Sequence, residues 1–130
     1  MSKERVILIA ERNPYIRNLV KRELLSEGYH AYTVENTSQL KNWMHLRRAP
    51  DILILDPDLP GDEKQNMRDI LASYPEMPVI FHSLSNEKWA VTPSLKHSIL
   101  VEKNGNSITL LKQWIAYFIS QTALDEVTER

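Results

Sequence analysis

Short apolar runs that alternate with segments of helical spacing are the feature that most constrains how this chain folds. The runs Val6–Ala10 and 51–55 are continuous and rich in branched side chains, as expected for strands covered on both faces. A more polar run, His30–Val34, is typical of a strand near the edge of a sheet. Two further strands are predicted at 77–82 and Ser98–Glu102.

Between these strands, apolar side chains recur at the three- and four-residue spacing of amphipathic helices. In the first helix Asn13 suits the cap, Pro14 the first turn and Gly28 the end. Thr37 is predicted to cap the second helix, and 67–74 carry the apolar positions of the third. A short fourth helix is predicted over 87–91, limited by Pro93, and a fifth beginning at Asn106 or Ser107.

Five strands alternating with helices predict right-handed crossovers and a parallel sheet, and 130 residues suit one domain. We expect the domain to span 1–122, with 123–130 a polar C-terminal tail or the start of a linker. In a parallel sheet the carboxyl ends of all strands meet at one edge, where α/β proteins bind ligands. The residues predicted there are Glu11, Arg12, Asp56, Ser83 and Lys103.

Composition excludes several classes of function. The chain has no cysteine, so it has neither a disulfide nor a thiolate metal site. Its formal charge of −1 predicts no attraction to nucleic acid or anionic membranes. No apolar run approaches the ~20 residues of a membrane span, and the N-terminus does not resemble a signal peptide. A cytoplasmic location is therefore expected.

Four motifs follow one another in the order VILIAERNPYIR, ILILDPDLPG, MPVIFHS and ILVEKNG. With them the chain resembles the CheY-like receiver domains of bacterial response regulators. The resemblance covers nearly the whole chain, from about Arg5 to about Thr122. It implies a flavodoxin-like fold with strand order 2-1-3-4-5, helices on both faces, and a signalling role in a two-component phosphorelay rather than an enzymatic one.

The resemblance also implies roles for the residues at the sheet edge. Asp56 takes the place of the phospho-acceptor, Ser83 that of the switch hydroxyl and Lys103 that of the phosphate-contacting lysine. Glu11 belongs to the acidic pocket with Asp58. In the family such carboxylates hold Mg²⁺, which makes Glu11 and Asp56 the candidate metal ligands and Mg²⁺ the implied cofactor.

Arg12 departs from the family pattern, because it stands where a second acidic residue normally binds the metal. An arginine stays protonated and cannot bind a cation. Two unit charges ~4 Å apart interact by about 4 kcal/mol at an intermediate dielectric. If Arg12 points into the site, it blocks the pocket and weakens Mg²⁺ binding, and it could form a bidentate pair with Asp56 or Glu11. Asp58 or Asp62 could partly replace the lost ligand.

A second departure lies between Ser83 and Lys103, where the chain is about two residues shorter than is common in the family. Leu100 stands near the place of an aromatic residue that couples to the switch hydroxyl. Expected partners are a sensor histidine kinase or another signalling protein. A homodimer could form through the fourth helix, fifth strand and fifth helix. Trp89 and Trp114 are candidate interface anchors, although Trp114 also suits the core.

Several simpler readings of the same residues stay open. Asp56 could cap a loop, Lys103 could be solvated, and Ser83 could form a local turn. His82 is interpreted as a satisfied strand histidine rather than a phosphorylation site.

Three functions follow from these readings. The favoured one is a divergent receiver with impaired Mg²⁺-dependent phosphorylation that acts through protein contacts. The alternative is a fully functional receiver phosphorylated at Asp56. A small flavodoxin-like enzyme or nucleotide-binding module ranks below both, because the chain has three glycines and no glycine-rich phosphate loop.

Overall fold

A computed structural model describes residues 4–61, 64–84 and 95–128. Strands and helices alternate along this part of the chain, apart from the consecutive strands β4 and β5. The strands are β1 Val6–Ala10, β2 His30–Val34, β3 Ile52–Leu55, β4 Val79–Ser83 and β5 Ser98–Glu102. The helices are α1 Pro14–Ser26, α2 Thr37–Leu46, α3 Lys64–Ala72 and α4 Ser107–Thr128.

The strands form one parallel sheet in the order β2-β1-β3-β4-β5. This confirms the predicted flavodoxin-like architecture, including the place of His30–Val34 at an edge. Two strands, β3 and β4, differ in their bounds from the prediction. β3 begins at Ile52, and Asp51 before it contacts Val6 twice: its carboxylate accepts the Val6 N–H at 2.7 Å and its N–H donates to the Val6 carbonyl oxygen at 2.8 Å. β4 begins at Val79, because Pro78 has no N–H to contribute to the sheet.

Helices cover both faces of the sheet, and each face has its own core. One core joins the sheet to α2 and α3, and the other joins it to α1 and α4. The interior strands β1 and β3 are buried almost completely, which explains their uninterrupted apolar sequences. Trp43 packs partly buried against the first core and Trp114 against the second.

The ends of α1 are those predicted. Asn13 Oδ1 accepts the N–H groups of Tyr15 and Ile16, and Pro14 is the first helical residue. Gly28 follows the helix with a φ of 92°, in the left-handed region that glycine adopts without strain.

The predicted cap of α2 is wrong by one residue. The cap is Asn36, whose side chain accepts the Gln39 N–H at 2.8 Å. The Thr37 N–H instead donates to Pro60 O at 2.9 Å. Thr37 is buried, and a Cβ added at Gly61 would lie only 1.7 Å from its hydroxyl oxygen. Tertiary contact with the loop after β3 therefore determines where α2 begins.

The predicted short helix at 87–91, with Trp89 and Pro93, lies outside the described residues. The predicted fifth helix is α4, which begins at Ser107 and continues through Thr128. The division of the chain at residue 122 stays a prediction. No helix within the described ranges is long and apolar enough to cross a membrane.

Candidate functional site

The loops that follow β1, β3 and β5 bring the predicted site residues together at the carboxyl edge of the sheet. The Asp56 N–H donates to Ala10 O at 2.8 Å, which holds the end of β3 against the end of β1. The Lys103 N–H donates to the Ser83 carbonyl oxygen at 2.6 Å, which holds the end of β5 against the end of β4. Backbone hydrogen bonds thus fix the positions from which the functional side chains project.

Glu11, Asp56 and Lys103 form the buried part of the site. Only 2% of Glu11 and 1% of Asp56 is exposed. Lys103 Nζ lies 2.9 Å and 3.0 Å from the two carboxylate oxygens of Glu11. It lies 3.5 Å from Asp56 Oδ2. One buried ammonium group therefore compensates two buried carboxylates.

Arg12 forms the outer part of the site and points toward Asp56. Its Nε lies 3.3 Å from Asp56 Oδ2, and its Nη2 lies 3.8 Å from Asp58 Oδ2. The Arg12 main-chain N–H also donates to Asp56 Oδ2 at 3.3 Å. Its side chain is 41% exposed. The guanidinium bridges two carboxylates, one contact to each, and does not form a bidentate pair with either.

The carboxylate oxygens that would face a cation already have donors. Asp56 Oδ1 accepts the Asp58 N–H at 2.9 Å, while its Oδ2 faces both Arg12 and Lys103. Glu11 Oε2 accepts the Asn13 N–H at 2.9 Å in addition to its contact with Lys103. Across the described ranges no three His, Cys, Asp or Glu side chains form a group suited to a metal. This arrangement does not fit Mg²⁺, which prefers oxygen ligands unopposed by neighbouring cations.

Burial raises the pKa of Glu11 above its ordinary value. The hydrogen bond from Lys103 and the Asn13 N–H act in the opposite direction, and the charge of Asp56 raises the pKa further. Burial is thus the largest influence on this carboxyl group, ahead of its ammonium partner.

His82, on β4, adjoins the buried part of the site. Its Nδ1 lies 3.9 Å from Glu11 Oε1, and its side chain is buried. Burial, reinforced by the charge of Lys103, lowers the pKa of His82 to about 4. Its Nε2 has no hydrogen-bond partner among the described residues. His82 is therefore buried in a strand as predicted, but within the described part of the chain one of its ring nitrogens lacks the hydrogen bond that the prediction assumed.

Arg17, one turn into α1, supports the site from a position that the sequence reasoning missed. Its Nη1 donates to the Glu11 carbonyl oxygen at 3.0 Å, and its Nη2 lies 2.7 Å from Glu35 Oε1. It thereby joins the end of β1 to the loop before α2 and fixes the peptide that leads into Arg12. A sequence signal exists, because Arg17 follows Glu11 by only six residues and lies in the first turns of α1.

The remaining predicted residues have simpler positions. Ser83 is the last residue of β4 and is buried, opposite Glu102 in the register with β5. Asp58 is exposed and touches Arg12. Leu100 packs partly buried against the core of the α2 and α3 face. Asp62 lies outside the described residues.

Comparison with known proteins gives one consistent answer. Residues 7–113 match the family described as response regulator receiver domain. Among curated proteins, no significant match exists.

Solved structures share the fold. The signal receiver domain of a putative Luxo repressor protein from Vibrio parahaemolyticus has a TM-score of 0.74 at 18% identity, covering 98% of this chain and 99% of that chain. Response regulator protein TrrA from Thermotoga maritima, in complex with Mg²⁺ and BeF, has a TM-score of 0.73 at 23% identity. That match covers 88% of this chain and 98% of that chain.

The family match spans most of the chain, and the parallel sheet order agrees with it. The arrangement of Asp56 and Lys103 at the carboxyl edge is also the one expected from the sequence motifs. The chain belongs to the response regulator receiver domain family and is a receiver domain of two-component signalling.

Proposed function

We propose that this receiver signals through protein contacts and that Arg12 takes the place of the metal beside Asp56. The observation that carries the proposal is the 3.3 Å separation between Arg12 Nε and Asp56 Oδ2. Asp56 remains the candidate phospho-acceptor, with Lys103 as the phosphate-contacting lysine and Ser83 as the switch hydroxyl. Mg²⁺-dependent phosphorylation of Asp56 is impaired.

The charge balance of the site supports this proposal. Glu11, Asp56 and Asp58 face the two cations Arg12 and Lys103, so the cluster retains one formal negative charge. An acidic residue at position 12 would leave three. Repulsion between unit charges at ~4 Å is about 4 kcal/mol at an intermediate dielectric. Arg12 therefore repels Mg²⁺ from this site, whereas an acidic residue at position 12 would attract it.

The partners that suit this function are a sensor histidine kinase or another signalling protein in the cytoplasm. A homodimer through β5, α4 and the segment between β4 and β5 is the assembly expected from the sequence. Light scattering tests the dimer, and a monomer at high protein concentration contradicts it.

Restoring the acidic pair tests the role of Arg12. The variant Arg12→Asp should gain Mg²⁺ affinity by at least about tenfold over the natural chain in titration calorimetry, since more than 1.4 kcal/mol of repulsion is removed. With acetyl phosphate and Mg²⁺, intact-mass spectrometry should show a phosphoryl adduct on Arg12→Asp and little on the natural chain. Loss of the adduct in Arg12→Asp with Asp56→Asn assigns it to Asp56.

Arg48→Asp is the matched control, because it makes the same charge change at an exposed position after α2. It should leave both Mg²⁺ affinity and phosphorylation at the level of the natural chain. Stable modification of Asp56 in the natural chain, as fast as in Arg12→Asp, overturns the proposal and establishes the alternative of a fully functional receiver.

A further inference from the structure

The exposed side of α2 carries positive charge and has no carboxylate of its own, the nearest in sequence being Glu35, which pairs with Arg17. Residues 36–50 include Lys41, Arg47 and Arg48 and contain no Asp or Glu, although the whole chain has 16 basic and 17 acidic residues. All three basic residues are exposed. We define the α2 basic surface as Lys41, Arg47 and Arg48 together with Tyr32 and Leu46.

Arg47 is held in place on this surface by two aromatic rings. Its guanidinium carbon lies 5.2 Å from the centre of the Tyr32 ring and 5.7 Å from that of Trp43. The two rings are 6.0 Å apart. A guanidinium stacked on aromatic faces keeps its N–H donors in its own plane, where they suit a carboxylate. Because the side chain is already ordered, it loses less conformational entropy when a partner binds.

Apolar area lies next to this charge. Leu46, the last residue of α2, is 81% exposed, and Tyr32 is 38% exposed. A single exposed leucine needs no explanation, but tyrosine, tryptophan and arginine are the residue types enriched where binding energy concentrates. The surface thus combines apolar side chains with an ordered arginine. This combination favours a protein partner over a partner that binds through charge alone.

The positive charge continues along α2 toward the carboxyl edge of the sheet. There Lys41 lines an open depression of about 840 Å³ together with Arg12 and Arg17, and Glu35, whose charge is paired with Arg17, lines it as well. A ten-residue helix such as α2 is about 15 Å long, which an extended peptide of about five residues covers. A short segment of a partner can therefore contact the whole surface at once.

We propose that the α2 basic surface binds an acidic segment of another signalling protein. Carboxylates of that segment pair with Lys41, Arg47 and Arg48, and an apolar side chain packs against Leu46 and Tyr32. Charge complementarity identifies the occupant, since this surface presents cations and no carboxylates in a chain of nearly balanced charge. The proposal does not depend on the chemistry of Asp56.

A direct test uses the full chain and a fluorescein-labelled peptide of Glu-Glu-Leu repeats, with Gln-Gln-Leu repeats as the uncharged match. Fluorescence anisotropy should show saturable binding of the Glu peptide that weakens as salt is added. The Gln peptide should bind at least about tenfold more weakly. Amide NMR shifts on adding the Glu peptide should concentrate at Tyr32 and 37–48.

Charge-reversal variants show whether binding occurs at this surface. Lys41→Glu and Arg47→Glu should each weaken binding of the Glu peptide by about tenfold. Arg22→Glu, at an exposed position of α1 on the other face of the sheet, is the matched control and should bind as the natural chain does. Should Arg47→Glu disturb the aromatic stack and unfold α2, as circular dichroism would show, Lys41→Glu decides the question.

Other outcomes overturn the proposal. Equal affinity for the Glu and Gln peptides would show that charge complementarity does not drive the binding. Amide shifts concentrated at other residues would place the binding on another surface. Tighter binding to duplex DNA or to phosphatidylglycerol vesicles than to the Glu peptide identifies a different class of partner. The variant Asp56→Asn should bind the Glu peptide normally, which keeps this test separate from that of the phosphorylation site.

Discussion

Glu11 and Arg12 are consecutive residues after β1, yet their side chains lie in different surroundings. Glu11 belongs to a buried group with Lys103, His82 and Asp56, in which the charges are almost entirely withdrawn from water. Arg12 reaches the same Asp56 from outside and remains 41% exposed. Solvent screens the outer contact and scarcely reaches the inner ones, so similar distances correspond to very different free energies.

Removing the ammonium group of the buried part should have the largest effect. We expect Lys103→Met to lower the free energy of unfolding by about 3–5 kcal/mol, because Glu11 and Asp56 are then left buried without their cation. Urea unfolding at neutral pH measures the change. Adding Glu11→Gln should recover part of the loss, since it removes one of the uncompensated charges.

Lys112→Met is the matched control for that variant. Lys112 Nζ lies 3.2 Å from Glu27 Oε1, but its side chain is 30% exposed. Its loss should therefore cost about 1 kcal/mol or less. Equal costs for the two lysine variants would contradict the distinction between the buried and exposed parts.

His82 should make the stability of the domain dependent on pH. Its pKa in the folded state is about 4, below the ordinary value of 6.5, so the unfolded state binds more protons between these values. The stability that this histidine contributes is present above pH 6.5 and is lost as the pH falls toward 4. The full loss is about 3 kcal/mol.

The variant His82→Phe should remove this contribution to the pH dependence in urea unfolding followed across that range. The raised pKa of Glu11 acts in the opposite sense, because its stabilising contribution is present below the ordinary value of 4.5 and is lost as the pH rises. The difference between variant and natural chain isolates His82. An unchanged pH profile in His82→Phe, matching that of the exposed-site variant His45→Phe, would contradict the assignment.

The side chain of Arg17 is less exposed than that of Arg12 and more exposed than that of Lys103, so its loss should have an intermediate effect on stability. Its side chain is 12% exposed and contacts both the Glu11 carbonyl oxygen and the Glu35 carboxylate. We expect Arg17→Met to cost about 1.5–3 kcal/mol in urea unfolding, as is typical of hydrogen bonds to charged groups. Glu35→Gln should cost less, because Glu35 is largely exposed. A larger loss for Glu35→Gln than for Arg17→Met would be inconsistent with the described contacts.

The smallest effect on stability is expected for Arg12 itself. Arg12→Ala should change the free energy of unfolding by about 1 kcal/mol or less, because its ion pairs with Asp56 and Asp58 are partly solvated. Thermal or urea unfolding checks this directly. A loss comparable to that of Lys103→Met would mean that the outer part of the site is energetically equivalent to the buried part.

The sequence predicted the sheet because strand burial and helix spacing are local patterns. The apolar runs of β1 and β3, the Asn13 cap and Gly28 all depend on residues close together in the chain. It also identified Asp56 and Lys103, because carboxyl ends of parallel strands must meet at one edge.

Contacts between distant residues were harder to predict. Thr37 is displaced from the cap position by Pro60 and Gly61, which lie more than twenty residues further along the chain. Arg17 meets Glu35, and His82 meets Glu11, only because β1 lies between β2 and β3 and the helices pack as they do. The sequence raised a bidentate pair for Arg12, but the exposed Asp58 competes for its guanidinium.

The close packing of Gly61 against Thr37 has a mechanical consequence. Gly61 lies five positions after Asp56, and the Thr37 N–H donates to the Pro60 carbonyl oxygen. A shift of the loop after Asp56 must therefore displace the first turn of α2 or break that hydrogen bond. α2 carries Lys41 and ends beside Arg47, so movement of the loop after Asp56 is coupled through Thr37 to the helix that carries the α2 basic surface.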